Sequence, residues 1–268
     1  MNSVEHNGPQ VLLTVGVDVT GCARLPKILH DAGCKVSLFA PRGLAVTRSR
    51  FVDSHIVGPN RLDSFVDALR DHLTTNKDRY QLLIVGDQPL LNELAERKSE
   101  SWVAEWFPVD ATSPAVDLII SKFAFLASAA SAQLNIPSLR FCKNVTEARA
   151  AAKEFGYPVV LKVTTRFNGP GVRVVNDPIR LDLCFEELSG GEIVAVQRYV
   201  SGRTGQTEAL FSNGRPVCWS SSFTCASWPH QRAVSCIREV TDHQDIERLL
   251  EGVGKLTGFN GFGGIDWV

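Results

Sequence analysis

The chain has 268 residues, 44% of them hydrophobic and 21% charged, which is ordinary for a globular protein and excludes a disordered or collagen-like chain. Its 28 Lys and Arg residues nearly balance its 29 Asp and Glu residues, so no bulk charge draws it to nucleic acid or to an anionic membrane. Seven cysteines without a CxxC pair argue against a disulfide framework or a zinc site. The N-terminus is polar and residues 123–132, the longest nearly apolar run, are too short to span a bilayer, so we expect a cytoplasmic protein without nucleic-acid or membrane partners.

Strand-like and helix-like patterns alternate over about the first 110 residues. Short apolar or β-branched runs predict strands at residues 11–15, 35–40, 55–57 and 81–86. Apolar residues at helical spacing between them predict helices around residues 25–32 and 62–73. Because strands that alternate with helices pair in parallel through crossover connections, we expect an N-terminal doubly wound α/β domain over residues 1–112.

The pattern changes after Asp117. Helices are predicted at residues 121–134, 145–155, about 181–188 and 245–256. Strands are predicted at residues 158–163, 172–175, 193–200, 207–211 and 263–268. A short glycine loop joins the first two of these strands, which favours an antiparallel hairpin over another crossover. The sequence therefore predicts a second, α+β domain over residues 113–268, with a smaller subdomain at about residues 136–200.

The glycine turn after the first strand is the first candidate for nucleotide binding. Residues 16–21 read GVDVTG, which does not fit GxGxxG, and no acidic residue is suitably placed after the second strand to bind a ribose. This favours a tight turn in an α/β scaffold over an NAD site. The N-terminal half of a sugar-nucleotide transferase also opens with a strand, a glycine turn and a helix, so that alternative stays open.

Lys162 ends an otherwise apolar strand, where its ammonium group must either reach solvent or meet an anion. For this residue alone the two interpretations are equally favoured. The loop that follows contains Arg166, Gly169 and Gly171, and glycine lets backbone N–H groups approach phosphate oxygens closely. The lysine and the loop together favour a phosphate site.

Residues 194–200, with the sequence VAVQRYV, change from apolar to polar and then reach Gly202. The end of such a strand can offer main-chain donors and acceptors to a planar base, with Ile193 and Val200 as apolar walls. Taken by itself, the pattern favours an ordinary edge strand.

In their order and spacing these features resemble the ATP-grasp superfamily, and in particular its carbamoyl-phosphate-synthase-like members. The resemblance runs from about Ser121 to the end of the chain, and the first domain is similar to the α/β domain that usually precedes an ATP-grasp domain. The matching segments are SKFAFL with Lys122, NIPSLRF, EFGYPVVLKV with Lys162, NGPGVRVV, IVAVQRYVSG, TEALFSNGRPV followed by Arg238 and Glu239, and GFNGFGGIDWV with Asp266.

The resemblance implies a set of residues that bind ATP. These are Lys122 and Lys162 at the phosphates; Arg166, Gly169 and Gly171 in a flap over them; Gln197, Arg198, Tyr199 and Val200 in the hinge that binds adenine; and Glu208 at the ribose. The family usually has Glu at the position of Gln197, whose amide can still hydrogen-bond the exocyclic amine of adenine.

The resemblance also implies ligase chemistry with Mg²⁺. Asp266 would be the first magnesium ligand, which agrees with the cost of an unpaired carboxylate on an apolar strand. Arg238 would hold the transferred phosphoryl group or a carboxylate, and an ion pair with Glu239 is nearly as compatible with the sequence. The substrates would be a small-molecule carboxylate, activated as an acylphosphate, and an amine or another nucleophile that attacks it.

Two other functions stay open, namely a nucleotide-binding module that performs no ligation and a glycosyltransferase-like protein. The family places its second acidic metal ligand in a Glu-x-Asn pattern downstream of Asp266, and this sequence contains none there. We therefore expect an incomplete ATP-grasp domain that is inactive alone. Residues 42–50 and 227–238 are predicted to be loops that help to shape the substrate pocket, and neither the substrate nor the oligomeric state follows from the sequence.

Overall fold

The computed structural model describes residues 8–17, 20–163, 171–228 and 234–268. The chain divides into two compact units, residues 1–116 and 117–268. No helix in the described ranges is long and apolar enough to cross a membrane.

The first unit contains a parallel sheet with strand order β3-β2-β1-β4. Its strands are β1 (Gln10–Thr14), β2 (Lys35–Ala40), β3 (Ser54–Val57) and β4 (Leu82–Val85). Its helices are α1 (Leu25–Asp31), α2 (Leu62–Thr75), α3 (Gln88–Glu96) and α4 (Ser101–Trp106), and α5 (Ala115–Ile120) leads into the second unit. The α/β class, with crossover connections in this half of the chain, is confirmed.

The two central strands of this sheet are buried on both faces, which explains their uniformly apolar sequences. Leu12 and Leu13 are 0% exposed although they point to opposite faces of the sheet. Thr14 at the end of β1 is buried as well, and its hydroxyl finds no hydrogen-bond partner in the described structure.

Asp87 fills the switch point of this sheet, between the carboxyl ends of β1 and β4, where open α/β sheets often bind ligands. Its side chain is buried, and its Oδ2 accepts hydrogen bonds from the backbone N–H of Gly16 at 2.6 Å and of Val17 at 3.4 Å. Its Oδ1 caps α3 by accepting from the N–H of Leu90 at 2.9 Å. An internal carboxylate therefore occupies the anion position of the glycine turn, which supports the interpretation of that turn as scaffold.

We expect Asp87→Asn to destabilise the protein by about 2 kcal/mol, because the amide would direct N–H groups at the N–H donors of Gly16 and Val17. Urea unfolding followed by circular dichroism measures the change. Asp177→Asn is the matched control, since Asp177 also caps a helix, through the N–H of Arg180, but accepts no long-range hydrogen bond in the described structure. An equal loss of stability in the two variants would show that the hydrogen bonds from Gly16 and Val17 to Asp87 do not contribute to stability beyond the helix cap.

His72 on α2 couples the stability of the first unit to pH. Burial lowers the pKa of His72 below its ordinary value of 6.5, and the nearby Arg79 lowers it further. Its Nε2 lies 2.9 Å from the hydroxyl of Tyr80. Below pH 6.5 the unfolded chain binds the proton more readily than the folded chain, so the free energy of unfolding falls as the pH drops from 6.5 toward the lowered pKa.

The measurement for this prediction is urea unfolding between pH 7.5 and pH 5. We expect His72→Gln to remove part of the acid-induced loss of stability, whereas the same change at the exposed His30 leaves that loss in place. If the free energy of unfolding of His72→Gln fell more steeply with decreasing pH than that of the unmodified protein, the predicted direction of the His72 effect would be wrong.

The second unit contains a small antiparallel sheet with strand order β5-β8-β6-β7. Its strands are β5 (Leu139–Cys142), β6 (Val159–Lys162), β7 (Val172–Val175) and β8 (Val194–Arg198). Helices α7 (Val145–Phe155) and α8 (Pro178–Ser189) contact the strands and contribute Ala148, Ala152, Leu181 and Phe185 to a common core with Val159 and Leu161. The hairpin predicted from the glycine loop is confirmed as the antiparallel pair β6 and β7.

A second antiparallel sheet, with order β11-β10-β9-β12, completes this unit. Its strands are β9 (Gly205–Ser212), β10 (Arg215–Trp228), β11 (Val234–Thr241) and β12 (Gly261–Trp267), with α9 (Asp245–Thr257) on one face. Helix α6 (Lys122–Ser131) precedes both sheets in sequence and contacts α9. Ala209 and Phe211 of β9 form a core with Ile246 and Leu250 of α9.

Two predictions for this half were wrong. Within the loop predicted at residues 227–238, residues 227–228 end β10 and residues 234–238 lie in β11, while residues 229–233 are outside the described part of the chain. The strand at residues 194–200 is not an edge strand, because β8 pairs with β5 on one side and with β6 on the other.

Candidate functional site

Lys162 lies at the end of β6 on the sheet face opposite to α7 and α8. Val159 and Leu161 of the same strand are in the core with those helices, so alternation places Val160 and Lys162 on the other face. Burial lowers the pKa of Lys162; the carboxylate of Asp266 opposes that shift and the ammonium of Lys122 adds to it. Three residues assigned from the sequence to phosphates and metal therefore interact electrostatically in one place.

Gln197 shares the face of Lys162. Val160 pairs directly with Gln197 and Lys162 pairs with Ala195, and residues directly opposite each other in a ladder point to the same face. Gln197 is 6% exposed, so its amide is held in a protected position beside the strand that carries the lysine.

The remaining hinge residues lie at the exposed end of β8. The N–H of Arg198 already donates to the carbonyl of Ser138 at 2.8 Å, while Tyr199 and Val200 follow the strand and are each 41% exposed. Ile193, expected to form an apolar wall with Val200, is exposed as well. Adenine binding by this hinge stays a prediction.

The flap falls mainly outside the described residues. Arg166 and Gly169 belong to that part, and Gly171 is the member of the flap that the structure describes. Gly171 is buried, and its carbonyl accepts a hydrogen bond from the N–H of Val163 at 3.0 Å, which closes the base of the loop.

Asp266, Glu208 and Arg238 share one face of the second sheet. On β9 the odd-numbered residues are buried toward α9, so Gln206 and Glu208 point away from it. Asp266 pairs with Gln206 and therefore shares its face. On its other side Gln206 pairs with Ser222 of β10. Thr224, two residues after Ser222 and on the same face, pairs with Arg238 of β11. The face opposite to α9 therefore carries two carboxylates and a guanidinium at alternate positions.

The Asp266 carboxylate is exposed, which contradicts the expectation that burial on an apolar strand makes it costly. Ile265 and Trp267 pack against the core with α9, while Asp266 points to the opposite, solvent-facing side of β12. The prediction that the Asp266 carboxylate is buried was therefore wrong. Asp266 is linked to the site by its electrostatic interaction with Lys162.

The ion pair between Arg238 and Glu239, the alternative that the sequence left open, is not formed in the described structure. Glu239 lies on the face that bears Phe223, its partner in the ladder, and forms an ion pair with Arg203. Arg238 points to the site face, where its Nη1 lies 3.5 Å from the Ser222 hydroxyl, and the described structure shows no acidic partner for it. Its guanidinium is therefore directed toward the site with capacity for an anion.

Gln206 also lies on this face and was not among the predicted site residues. Its Nε2 donates to the Oε1 of Glu208 at 2.6 Å, and it is the ladder partner of Asp266, so it lies between the two carboxylates. Gly264 faces Glu208, where a Cβ would lie 2.8 Å from the Oε2 of that side chain. The period-2 alternation of GQTEALFS contains the signal for Gln206, two residues before Glu208.

Part of the chain matches a family model, and solved structures resemble its fold. Residues 121–197 match the family model described as carbamoyl-phosphate synthase L chain, ATP binding domain. No curated protein matches the chain at a significant level.

Solved structures resemble the chain over nearly its whole length. Phosphoribosylglycinamide synthetase from Anaerococcus prevotii is 13% identical, with a TM-score of 0.64 over 97% of this chain and 64% of that one. Biotin carboxylase from Campylobacter jejuni, solved as a β,γ-ATP complex, is 16% identical, with a TM-score of 0.67 over 98% of this chain and 63% of that one. N5-carboxyaminoimidazole synthetase from Staphylococcus aureus, complexed with ADP, is 14% identical, with a TM-score of 0.66 over 97% and 66%.

The chain thus spans slightly less than two thirds of the length of these structures. At identities this low, the structural likeness establishes the fold alone. The match to the family model covers the segment from the start of α6 to Gln197. The match and the shared architecture confirm the resemblance found in the sequence, and the chain has the fold of the ATP-grasp superfamily.

Proposed function

We propose that this chain binds ATP with Mg²⁺, and that its parent reaction is the ATP-dependent ligation of a carboxylate to an amine or another nucleophile through an acylphosphate. The observation that carries the proposal is the electrostatic cluster of Lys122, Lys162 and Asp266. Two cations and one carboxylate leave net positive charge for a polyphosphate, and the partial burial of Lys162 strengthens its interaction with an anion. The resemblance to proteins solved with ADP or a β,γ-ATP ligand supports this choice of nucleotide.

The proposed binding residues follow the two sheets. Lys122 and Lys162 hold the phosphates, and Gln197 to Val200 bind adenine at the end of β8. Glu208 binds the ribose from the face of β9 that points away from α9, where Gln206 fixes its carboxylate through the 2.6 Å hydrogen bond. The flap of Arg166, Gly169 and Gly171 covers the phosphates in this proposal.

The residues present fit a magnesium ion that binds together with the nucleotide. Mg²⁺ is usually held by one or two carboxylates together with substrate phosphates and water, and Asp266 is an exposed carboxylate close enough to Lys162 to interact with it. The described residues contain no group of three His, Cys, Asp or Glu side chains that would hold a metal by themselves. When bound, Mg²⁺ neutralises charge on the phosphates, and the lysines bind and orient the same groups.

The experiment that tests the proposal has a binding step and a trapping step. Titration calorimetry should show ATP binding that Mg²⁺ strengthens, and hydroxylamine with candidate carboxylic acids tests whether this chain, which is expected to be inactive alone, still forms an acylphosphate that can be trapped as a hydroxamate. Failure to bind ATP overturns the proposal, and binding of a sugar nucleotide without ATP would favour the glycosyltransferase alternative. ATP binding without any trapped hydroxamate is the result expected of a chain that is inactive alone, whereas a trapped hydroxamate would exclude the module that performs no ligation.

Arg238 is proposed to bind the γ-phosphoryl group, because its guanidinium faces the site and Glu239 is engaged elsewhere. We expect Arg238→Gln to weaken ATP binding about tenfold while ADP binding changes less than about twofold, since ADP lacks the group in question. Calorimetry with both nucleotides measures the difference. Arg203→Gln is the matched control, because Arg203 pairs with Glu239 on the opposite face.

Equal effects of Arg238→Gln on ATP and ADP would contradict the contact with the γ-phosphoryl group. A defect that appears only in the dependence on the carboxylic acid would instead assign Arg238 to the carboxylate substrate.

A further inference from the structure

The first unit carries a basic cleft that the proposed ATP site does not use. It is open to solvent, has a volume of about 530 Å³, and is lined by the cationic residues Arg24, Lys27, Arg48 and Arg50 and the apolar residues Ile28 and Phe51. We infer that this cleft is a second anion site, for a small phosphate ester with an apolar group. The inference does not depend on the proposed ligase function.

The lining of the cleft is electrostatically unbalanced. Among the described residues, its walls hold four cationic side chains and no carboxylate, although Asp and Glu outnumber Lys and Arg in the whole chain. Lys27 is paired with Asp31 one helical turn away, but the described structure shows no acidic partner for Arg24, Arg48 or Arg50. A solvated surface usually interleaves both signs of charge, so three unpaired guanidinium groups in one concavity favour an anionic ligand.

The backbone that carries these cations is fixed by the core of the unit. A 3-10 turn at Thr20–Arg24 contacts a second 3-10 turn at Ala45–Arg48 and the start of α1. Cys22, Leu29 and Val46, from these three segments, are all buried in one core cluster. The cations therefore project from a rigid base, which lowers the entropy that a ligand must overcome on binding.

The chemistry of the lining identifies the class of ligand. Arginine forms bidentate hydrogen bonds with phosphate, and three of the four cations are arginines. The guanidinium of Arg50 lies 5.0 Å from the ring centroid of Phe51 and the Lys27 Nζ lies 5.4 Å from it, so both cations are held beside an apolar surface. Ile28 is 59% exposed and extends that surface. A phosphate ester satisfies both parts of the cleft, and the volume matches a small molecule.

The test uses the full chain with phenyl phosphate as the probe. Inorganic phosphate and phenol, which carry its anionic group and its aromatic group separately, are the comparison ligands. We expect phenyl phosphate to bind more tightly than either half, with an affinity that falls as salt is added. The double change Arg24→Gln and Arg48→Gln should weaken binding at least about tenfold. Arg79→Gln is the matched control, because Arg79 also lies over an aromatic ring, that of Tyr80 at 5.4 Å, but is outside the cleft.

A separate control excludes the nucleotide site. Lys162→Ala should leave the affinity for phenyl phosphate within about twofold, since Lys162 belongs to the second unit. Unchanged binding in the double variant, or loss of binding in Lys162→Ala, would overturn the inference. It would also be overturned if heparin bound while phenyl phosphate did not, because the cleft would then be a polyanion surface.

Discussion

Lys162→Ala should weaken ATP binding by a factor of about 10 to 100, the largest effect expected from any single site residue. A charge-assisted hydrogen bond to a phosphate is worth about 1.5–3 kcal/mol, and the partial burial of this ammonium reduces competition from water. Calorimetry at pH 7.5 measures the affinity. Lys153→Ala is the matched control, since Lys153 is an exposed lysine on α7, within the same unit.

A second substitution at the same position separates binding from folding. Because burial lowers the pKa of Lys162, the charged side chain is less favourable in the folded protein than in the unfolded chain. We therefore expect Lys162→Met to bind ATP as poorly as Lys162→Ala while the protein unfolds at an equal or higher urea concentration. A large loss of stability in Lys162→Met would show that the lysine is structural, and unchanged ATP affinity would contradict the phosphate-binding role.

Gly254→Ala should destabilise the protein by about 3 kcal/mol or more, although alanine normally stabilises a helix relative to glycine by about 1 kcal/mol. Helix α9 crosses the turn after β9 at this point, and a Cβ on Gly254 would overlap the carbonyl oxygen of Gly214 and lie 2.7 Å from its carbonyl carbon. Gly214 itself has a φ of +75°, so the turn has little freedom to retreat.

Urea unfolding monitored by fluorescence measures this loss, because Trp267 lies in the core beside α9. Gly21→Ala is the control for the same chemical change, since a Cβ there meets no atom of the described residues within 4 Å. A stabilised Gly254→Ala variant would show that α9 can shift away from the turn, and that the contact does not fix its position.

The parts of the fold that the sequence predicted are those with a clear period and clear turn residues. The strand ending in Lys162 and its hairpin partner follow from β-branched runs on either side of a glycine loop. The hairpin of β10 and β11 was missed because residues 218–227 read CWSSSFTCAS, which lacks the alternation that indicates a half-buried strand. Its stability comes from pairing with β9, a long-range contact that no local pattern records.

The site was predicted in its residue types and less well in its environment. Lys122 and Asp266, which were grouped with Lys162 because their order along the chain resembles a known arrangement, interact with it electrostatically, while their roles in binding phosphate and metal stay predictions. The solvent exposure of Asp266 was not predicted, because Ile265 and Trp267 beside it suggested a strand buried on both faces. The packing of α9 against the sheet decides which face of the edge strand β12 is exposed to solvent. This packing is a tertiary contact, so the local sequence of β12 does not determine it.

The opposite orientations of Arg238 and Glu239 make the charge of the site depend on strand register. The ladder between β10 and β11 is irregular at Thr224 and Ala226, with Cys225 unpaired between them, directly beside the residue that pairs with Arg238. A slip of β11 by one residue would exchange the faces of the two side chains and replace a cation by an anion, a change of two charge units on the face that is proposed to bind the phosphates. An insertion or deletion within this strand would therefore convert an attractive surface into a repulsive one without altering a single residue of the proposed site.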